Sequence, residues 1–276
     1  MGNGFKYTGF GCMALIVILL SAANLFGGIR LDQPQAVYYH RFVSAVTGPE
    51  ATWVNPAGLG LDRRLKIQYI ARFLDGDFTN DWGTVVSGDG IGLSFRSVES
   101  FRGGKYVEYI YAAGAGVGKG LYWGCSYRYI KEGFGYYYKR HFWNIGLLYN
   151  RHPQYTLGAL FSNLNRGKVN GEKTDIEQIY SASYKTKNER FTISVEISLS
   201  SKQSLSGAKY NYGVDWQVKP NFKIFANYSN DRFYQIGFRL DLKDYFFGTQ
   251  SQGEAKNNTH LGTSVYTGFM KAFTAR

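Results

Sequence analysis

The chain has 276 residues, among them 23 Tyr, 20 Phe, 34 Gly and only 5 Pro, and its formal net charge is +12 at pH 7. Lys and Arg are scattered through turns and strand ends, and they form neither a basic stripe nor a recognisable nucleic-acid-binding module, so nucleic acid is excluded as a partner. The charge indicates a solvated basic surface or, more sharply, attraction to acidic lipid head groups or to an anionic solute.

Residues 1–23 are predicted to form a secretory signal peptide. Lys6 and the amino terminus supply a weakly positive start, Cys12–Leu20 is an apolar run, and small residues up to Ala23 form a cleavage signal. The apolar run is shorter than the roughly 17–25 residues that a membrane-spanning helix needs. After cleavage one cysteine, Cys125, would remain, so an internal disulfide is excluded.

Residues 24–63 are predicted to form an N-terminal plug segment, which ends in VTGPEATWVNPAGLGLDRR. Pro56 disfavours helix at Asn55, and Gly58 can take the positive φ that reverses the chain. A short helical segment over about 45–54 would therefore end at this turn and lead into the first strand. The turn motif consists of Asn55, Pro56, Ala57, Gly58 and Leu59.

Alternation of apolar and polar residues dominates the remainder, residues 64–276. In KYNYGVDWQV, residues 209–218, Tyr and Val or Trp occupy every second position and polar residues or Gly occupy the others. This period of two is the pattern of a strand with one apolar face and one polar face. It predicts strands near 64–74, 79–87, 90–99, 104–116, 119–131, 136–150, 153–164, 176–186, 189–200, 207–218, 221–229, 232–242 and 258–271.

The connections between these strands alternate in length. Tight turns near residues 88–89, 116–119, 151–153, 187–188 and 219–220 alternate with mostly longer loops, 229–232 being the exception. Short turns at one end and longer loops at the other are typical of outer-membrane barrels. The predicted fold is all-β, a transmembrane antiparallel up-and-down barrel of 12–14 strands with the plug segment before it. Because such barrels usually have an even number of strands, either 35–44 adds a fourteenth strand or the count falls to twelve.

The C-terminal end leaves two alternatives. The chain ends in GFMKAFTAR, with Phe273 three residues before the end. Either Phe273 provides the aromatic end that membership of this class implies for the last strand, or the last strand lies near 232–247 and the tail is extra.

The sequence resembles the FadL-type and PorV-like outer-membrane barrels, and most closely the barrel ahead of long SppA-type signal peptide peptidases. The resemblance lies in ATWVNPAGLGLDR, GCSYRY, WNIGLLYNRHPQYTLGALFSNLNR and FYQIGFRL, within residues 36–250. It implies a barrel whose N-terminal segment packs inside or under the lumen. It also implies either passage of hydrophobic molecules to the membrane or a shuttle role in secretion. The long loops of the fatty-acid transporters are missing, and no Ser/Lys dyad can be transferred to this chain.

No catalytic constellation, metal-ligand spacing or cofactor motif is evident, so we expect no enzyme and no cofactor. His40, His141, His152 and His260 are far apart in the sequence, and GAGVGKG, residues 114–120, lacks the full phosphate-loop pattern and indicates a hairpin turn. Cys125 is predicted to be an inert residue on the lipid side. Trp82, Trp123, Trp143 and Trp216 are predicted to lie in interfacial aromatic belts.

Charged residues on the polar faces are candidates for lining the lumen, because a Lys or Arg facing lipid would cost about 2–4 kcal/mol at the bilayer midplane. They either pair and hydrate the interior or select a bound solute. The candidates are Arg72, Arg96, Glu108, Arg128, Glu196, Asp215 and Arg239.

These features predict an outer-membrane protein for transport or passive uptake of small solutes, and the resemblance alone suggests hydrophobic ones. The alternative is a non-transporting scaffold or anchor in envelope biogenesis or protein secretion, and an outer-membrane enzyme is a more distant third. The expected partners are outer-membrane lipid and lipopolysaccharide, the barrel-assembly machinery and an envelope protein.

Overall fold

The structure is a computed structural model, and it describes residues 42–99, 105–132, 140–169, 172–200, 203–256 and 259–271. The predicted signal peptide, most of the 35–44 segment and Phe273 lie outside these residues. No helix in the described part of the chain is long and apolar enough to cross a membrane.

Short helical turns precede the strands. A 3-10 turn, Gly48–Glu50, leads into a single α-helix, α1 (Ala51–Val54), and a second 3-10 helix spans Pro56–Leu61. The predicted short helical segment over about 45–54 is therefore confirmed, although it begins at Gly48 and only Ala51–Val54 is α-helical.

Sixteen strands follow in the described residues. Their bounds are β1 Leu65–Leu74, β2 Asp77–Gly88, β3 Ile91–Glu99, β4 Lys105–Gly118, β5 Leu121–Glu132, β6 Arg140–His152, β7 Tyr155–Ser162, β8 Lys168–Val169, β9 Glu172–Lys173, β10 Glu177–Lys185, β11 Phe191–Ser200, β12 Lys209–Lys219, β13 Phe222–Ser229, β14 Phe233–Leu242, β15 Tyr245–Glu254 and β16 Thr259–Lys271.

Fourteen of these strands form one closed antiparallel barrel, and β8 and β9 form a separate small hairpin. Each barrel strand pairs with its sequence neighbour, and β16 closes the barrel on β1 with Leu65 opposite Lys271 and Phe73 opposite Thr263. Closure pairs every strand edge, which a membrane requires because its hydrocarbon offers no hydrogen bonds to an open edge. The predicted all-β barrel is confirmed, with fourteen strands.

The barrel strand that the thirteen predicted strands do not include is β15. Two of the alternatives drawn from the sequence are therefore wrong. The described end of the 35–44 segment, Phe42–Ser44, is coil and turn. The last strand is β16, not a strand near 232–247, where β14 ends at Leu242 and a turn follows. Strand β15 escapes the alternation pattern because its inward side includes the buried Phe246 and its outward side includes the polar Thr249 and Ser251.

The two ends of the barrel differ, as the connections predicted. One end, the tight-turn end, carries residues 62–64 before β1 and the connections 89–90, 119–120, 153–154, 186–190, 220–221 and 243–244. The opposite long-loop end carries 100–104, 133–139, 163–176 and 201–208. It also carries three short connections at 75–76, 230–232 and 255–258.

The outward faces are apolar and the inward faces are mostly polar. On β12, Tyr212, Val214 and Trp216 are more than 40 % exposed, whereas Asn211, next to Tyr212 on the other face, is 7 % exposed, and Gly213 between Tyr212 and Val214 is buried. Trp123 and Trp143 are also exposed on the outside, and Cys125, a free thiol, follows the same outward row as Trp123. An apolar surface around the whole circumference fits hydrocarbon as its solvent.

Candidate functional site

The segment Phe42–Leu61, here called the plug segment, runs through the interior of the barrel. Its apolar side chains are almost completely removed from solvent, with Val43, Val46, Ala51, Ala57 and Leu59 each at most 1 % exposed. Val46, Ala51 and Leu59 pack with Ala112 of β4 into one buried cluster. The plug segment thus forms part of the core inside the lumen.

Asn55 holds the plug segment in shape. Its side-chain oxygen accepts a hydrogen bond from the Ala57 backbone nitrogen at 3.1 Å, which caps the helix Pro56–Leu61. Its side-chain nitrogen donates to the Val43 carbonyl at 2.9 Å and to the Leu147 carbonyl of β6 at 3.1 Å. Asn55 has extended backbone angles, φ −151° and ψ 105°, so α1 ends there as Pro56 predicted.

The expected role of Gly58 is wrong. Gly58 lies within the helix Pro56–Leu61 and is not among the residues with positive φ, whereas Gly48 at the start of the helical turns has φ +73°. Gly58 is required by close approach instead, because a Cβ there would collide with the Val46 carbonyl oxygen. The motif therefore works by packing at Gly58 and by hydrogen bonding at Asn55.

A glycine wall on β4, β5 and β6 receives the plug segment. Gly114 lies opposite Gly124, and Gly124 lies opposite Gly146, so three inward glycines form a row across three strands. A Cβ on any of them would overlap Asn55 or Pro56. The plug segment therefore lies directly on the backbone of this wall, with no side chain between them.

On the side away from the glycine wall, polar side chains of β10 and β11 contact the plug segment. The Ser44 hydroxyl hydrogen-bonds to the Ser181 and Ser183 hydroxyls at 2.7 Å each. The Val43 backbone nitrogen donates to the Glu196 carboxylate of β11 at 3.0 Å. These bonds bind the start of the plug segment to β10 and β11.

An aromatic cluster fills the lumen next to β13–β16 and β1. Ile70, Phe225, Phe246 and Tyr266 are each at most 4 % exposed, and Trp53 and Met270 pack against them. The Trp53 ring nitrogen donates to the Ser94 hydroxyl at 2.6 Å. Trp53 therefore connects the plug segment to β3 and to this aromatic cluster.

The long-loop half of the lumen contains a buried charge network. Glu108 of β4 is fully buried and is paired with Arg96 of β3 and, at 3.6 Å, with Arg128 of β5. Arg72 of β1 pairs with Asp81 of β2 at 2.8 Å. Three guanidinium groups thus share two carboxylates in these pairs, and pairing is what makes their burial tolerable.

An apolar cluster lies on the same inward face, nearer the long-loop end. It consists of Val98, Tyr106, Ile130 and Phe142, each at most 4 % exposed. The Arg128 guanidinium lies 5.0 Å from the centroid of the Phe142 ring. Positive charge and apolar side chains are therefore adjacent inside this half of the lumen.

A polar cavity of about 420 Å³ lies at the tight-turn end, between the plug segment and the wall. Ser44 and Thr47 line it from the plug segment, and charged residues of both signs line it from the barrel: Arg64, Lys66, Lys185, Asp215, Lys223, Arg239 and Asp241. Ion pairs surround it, with Lys223 3.2 Å from Asp215 and Arg239 3.5 Å from Glu50. The volume is in the range of small-molecule sites.

Asp62 orders the rim of this cavity. Its carboxylate lies 2.8 Å from the Arg64 guanidinium and 2.5 Å from the buried Lys66 ammonium. Burial acts to raise the pKa of Asp62, but the hydrogen bonds from Arg64 and Lys66 and the charge of Lys66 outweigh it and hold that pKa well below its usual range.

All seven charged candidates lie on the inward side, and each has a protein partner. The structure separates them into two groups: Arg72, Arg96, Glu108 and Arg128 lie in the long-loop half, whereas Asp215 and Arg239 lie by the cavity. Glu196 lies between these groups, against Val43. Their role in binding a solute stays a prediction.

Sequence reasoning missed several inward residues. Asp81 could have been found, because Asp81, Gly83 and Val85 alternate in register on β2. Glu50 carried no signal, since its partner Arg239 is brought to it only when the barrel closes over the plug segment. Lys66 lies four residues after its partner Asp62, so this pair was within reach of the sequence. The inward Phe225, Phe246 and Tyr266 could not be distinguished from lipid-facing aromatics by residue type.

No protein-family model matches the sequence, and no curated protein matches it. Solved structures share the fold. They include "CymD monoaromatic hydrocarbon channel" (TM-score 0.56, 10% identity, covering 85% of this chain and 95% of that chain). The Pseudomonas putida toluene transporter TodX has a TM-score of 0.54 at 12% identity, over 84% of this chain and 96% of its own. The Acinetobacter baumannii outer membrane protein Omp33 has a TM-score of 0.51 at 10% identity, and the match covers 77% of this chain and 100% of that chain. At such identities the likeness concerns the fold alone.

Proposed function

We propose that this protein is an outer-membrane channel for small solutes, with a lumen that is divided by the plug segment. The observation that carries the proposal is the polar cavity of about 420 Å³ between the plug segment and the barrel wall, inside a closed barrel with an apolar outer surface. Solved structures with this fold include a monoaromatic hydrocarbon channel and a toluene transporter, and they support the same class of function. Export by a cleaved signal peptide and assembly by the barrel-assembly machinery belong to this proposal.

A solute would pass through the lumen along β10–β14, because the plug segment closes the lumen against the glycine wall on the β4–β6 side. There the plug segment contacts backbone directly, and Gly124 leaves no space for a side chain. On the other side the plug segment is held by side chains such as Ser44, which can move without breaking the sheet. Asp215 and Arg239 would be among the charges that a solute meets inside this cavity.

Two regions of the lumen, one charged and one apolar, indicate which solutes would bind. The cavity is lined by charges of both signs and accepts polar solutes. The cluster of Val98, Tyr106, Ile130 and Phe142 offers apolar contact in the long-loop half. A small hydrophobic solute is the narrower proposal, supported by this cluster and by the FadL-type resemblance.

Planar-bilayer conductance of the purified full chain tests the proposal. We expect discrete channels whose preference shifts towards anions in Asp215→Asn, because the substitution removes a negative charge from the cavity. Asp231→Asn is the matched control, since Asp231 pairs with Lys209 at the exposed long-loop end and should leave selectivity unchanged. Well-folded protein that stays silent in the bilayer would overturn the proposal.

A scaffold that does not conduct is the second candidate function. It is favoured by the plug segment and the aromatic cluster, which together fill much of the lumen. As an envelope anchor such a barrel would need a protein partner, and the PorV-like resemblance suggests one. The same conductance measurement separates the two functions, because a scaffold predicts silence in folded protein.

A further inference from the structure

The tight-turn end of the barrel carries a large excess of exposed positive charge. Among the described residues at this end, the exposed carboxylates are Asp89 and Glu189. The exposed cations, here called the basic rim, are Arg63, Arg64, Lys119, Arg151, Lys187, Arg190, Lys219, Lys243 and Lys271. The chain's net charge of +12 is therefore unevenly placed, and this end holds much of it.

The two exposed carboxylates at this end are already paired with cations. Asp89 lies 3.9 Å from Arg63, and Glu189 lies 2.7 Å from Lys185. Seven rim cations have no carboxylate within 4 Å in the described part of the chain: Lys119, Arg151, Lys187, Arg190, Lys219, Lys243 and Lys271. Their charge is available to an anion outside the protein.

Lys271 continues the outward-facing row of β16, two residues after Phe269, because side chains two residues apart on a strand point to the same side. Lys119 and Lys243 lie in the turns after β4 and β14, with φ +52° and +53°, and Arg151 lies at the end of β6 where the pairing register shifts. All four are exposed and adjoin the ends of strands whose outward faces are apolar.

Aromatic side chains lie next to the rim cations at several places around the barrel. Tyr245 and Phe269 rings lie 5.4 Å apart, Phe191 stacks on Trp216 at 5.9 Å, and Tyr155 lies 5.1 Å from Tyr184. Aromatic belts mark the boundary between hydrocarbon and head groups, and long cationic side chains reach from that boundary to the polar level. The rim cations are thus placed at the depth of lipid phosphates.

The long-loop end does not have this character in the described residues. Its exposed charges are Lys105, Lys131, Lys173, Arg232 and Lys256 against Asp75, Asp77 and Asp231. Five exposed cations thus stand against three exposed carboxylates there, compared with nine and two at the tight-turn end. The larger excess of exposed positive charge therefore lies at the tight-turn end.

We propose that the basic rim binds the phosphates of anionic phospholipids in the leaflet that surrounds the tight-turn end. The rim cations come from turns around the whole circumference, so one rigid protein partner could not contact them together, whereas an annulus of lipid does. Short turns face the periplasm in barrels of this kind, which places phospholipid and not lipopolysaccharide at this level. The proposal needs the barrel to lie in a bilayer and is independent of whether it conducts.

The test uses the full-length protein in nanodiscs of phosphatidylethanolamine and phosphatidylglycerol, with native mass spectrometry of the lipids that stay bound. The rim variant carries Lys119→Gln, Arg151→Gln, Lys243→Gln and Lys271→Gln. The matched control carries Lys131→Gln, Lys173→Gln, Arg232→Gln and Lys256→Gln, which removes the same charge from the other end. We expect phosphatidylglycerol to be enriched at least about threefold over the bulk lipid in the wild type and in the control, and not in the rim variant.

A second variant keeps the test decisive if the rim variant does not fold. Lys119→Arg, Arg151→Lys, Lys243→Arg and Lys271→Arg preserve the charge, and we expect the enrichment to remain. About 1 M NaCl should abolish it, because exposed charges are screened at that ionic strength. Equal retention of both lipids by the wild type, or equal loss of the phosphatidylglycerol enrichment in the rim and control variants, would overturn the proposal.

Discussion

Glu108 is the residue on which the interior charges of the long-loop half depend. It is fully buried and is shared by Arg96 and Arg128, whose side chains are 10% and 12% exposed. Removing the carboxylate would leave two guanidinium groups near each other in a poorly solvated place. Breaking a buried pair costs more than the pair itself contributes, because the remaining charge keeps its desolvation penalty.

We therefore expect Glu108→Gln to lower the free energy of unfolding by about 3 kcal/mol. Urea unfolding in detergent micelles, followed by tryptophan fluorescence, measures the change. Glu189→Gln is the control, because the side chains of its pair with Lys185 are 69% and 40% exposed, and it should unfold like the wild type. Equal stability of Glu108→Gln and the wild type would show that water already solvates the arginines.

Asp62 gives a pH dependence with a defined sign. The pKa of Asp62 is lowered in the folded protein, so its contribution to stability is present above the unfolded carboxyl pKa of about 3.9 and is lost as the pH falls towards the folded value. We expect the wild type to exceed Asp62→Asn in stability by a constant margin near neutral pH, and the margin to shrink below about pH 4.

Unfolding midpoints in urea between pH 3 and pH 8 measure this margin. The control is Asp89→Asn, which breaks a pair whose side chains are 81% and 74% exposed and should show no such pH dependence. A margin that stays constant down to pH 3 would contradict the role given to Asp62.

At the scale of elements, the plug segment and the glycine wall form one unit. The wall works because three inward glycines face each other across β4, β5 and β6, which lets backbone pack on backbone. Glycine in a strand usually weakens it, and here close approach of another segment accounts for its presence. The contact also makes the plug segment a fixed part of this side of the lumen.

Gly114→Ala and Gly116→Ala test the wall with matched substitutions on the same face of β4. A Cβ at Gly114 would overlap the Pro56 carbonyl oxygen, whereas at Gly116 it would meet only the Tyr122 ring at 3.1 Å. We expect Gly114→Ala to cost about 1–3 kcal/mol of stability and Gly116→Ala to cost much less.

Plug displacement is measured separately from stability. Ala57→Cys, in a chain whose natural cysteines are replaced by Ser, should be shielded from a water-soluble maleimide because Ala57 is fully buried. Adding Gly114→Ala should increase the labelling rate, and adding Gly116→Ala should not. If both glycine variants label alike, the wall does not hold the plug segment.

The whole molecule is a closed ring of fourteen paired strands with an apolar outside. Its lipid-facing positions include Ile193 and Ile236, which are 51% and 56% exposed and would aggregate in plain buffer. Closure makes the strands interdependent, because β16 pairs with both β15 and β1.

We expect the folded protein to require detergent and to migrate differently on a denaturing gel with and without boiling. A chain that stops at residue 258 lacks β16, so one edge of β1 and one edge of β15 have no partner strand. This shortened chain should migrate alike with and without boiling. A full chain that stays monodisperse in buffer without detergent would contradict the membrane barrel.

Much of this fold could be predicted from residues that are close together in the chain. Alternation in 209–218 was enough to distinguish the lipid side from the lumen side, because a strand turns successive side chains to opposite faces wherever it lies. The same rule failed for β15, where Phe246 faces inward into the aromatic cluster. The rule assumes an evenly polar interior, and this lumen has an apolar region.

By itself the sequence determined the class of fold, the inward position of the charged residues and the turn at Asn55, because each follows from local backbone geometry and the cost of placing charge in lipid. Only the tertiary structure decided which partners these residues have. Val43 meets Glu196 across 153 positions of sequence, and Asn55 meets Leu147 across 92. The glycine wall, the cavity and the basic rim likewise arise from closure of the barrel, which brings together residues that no local sequence pattern relates.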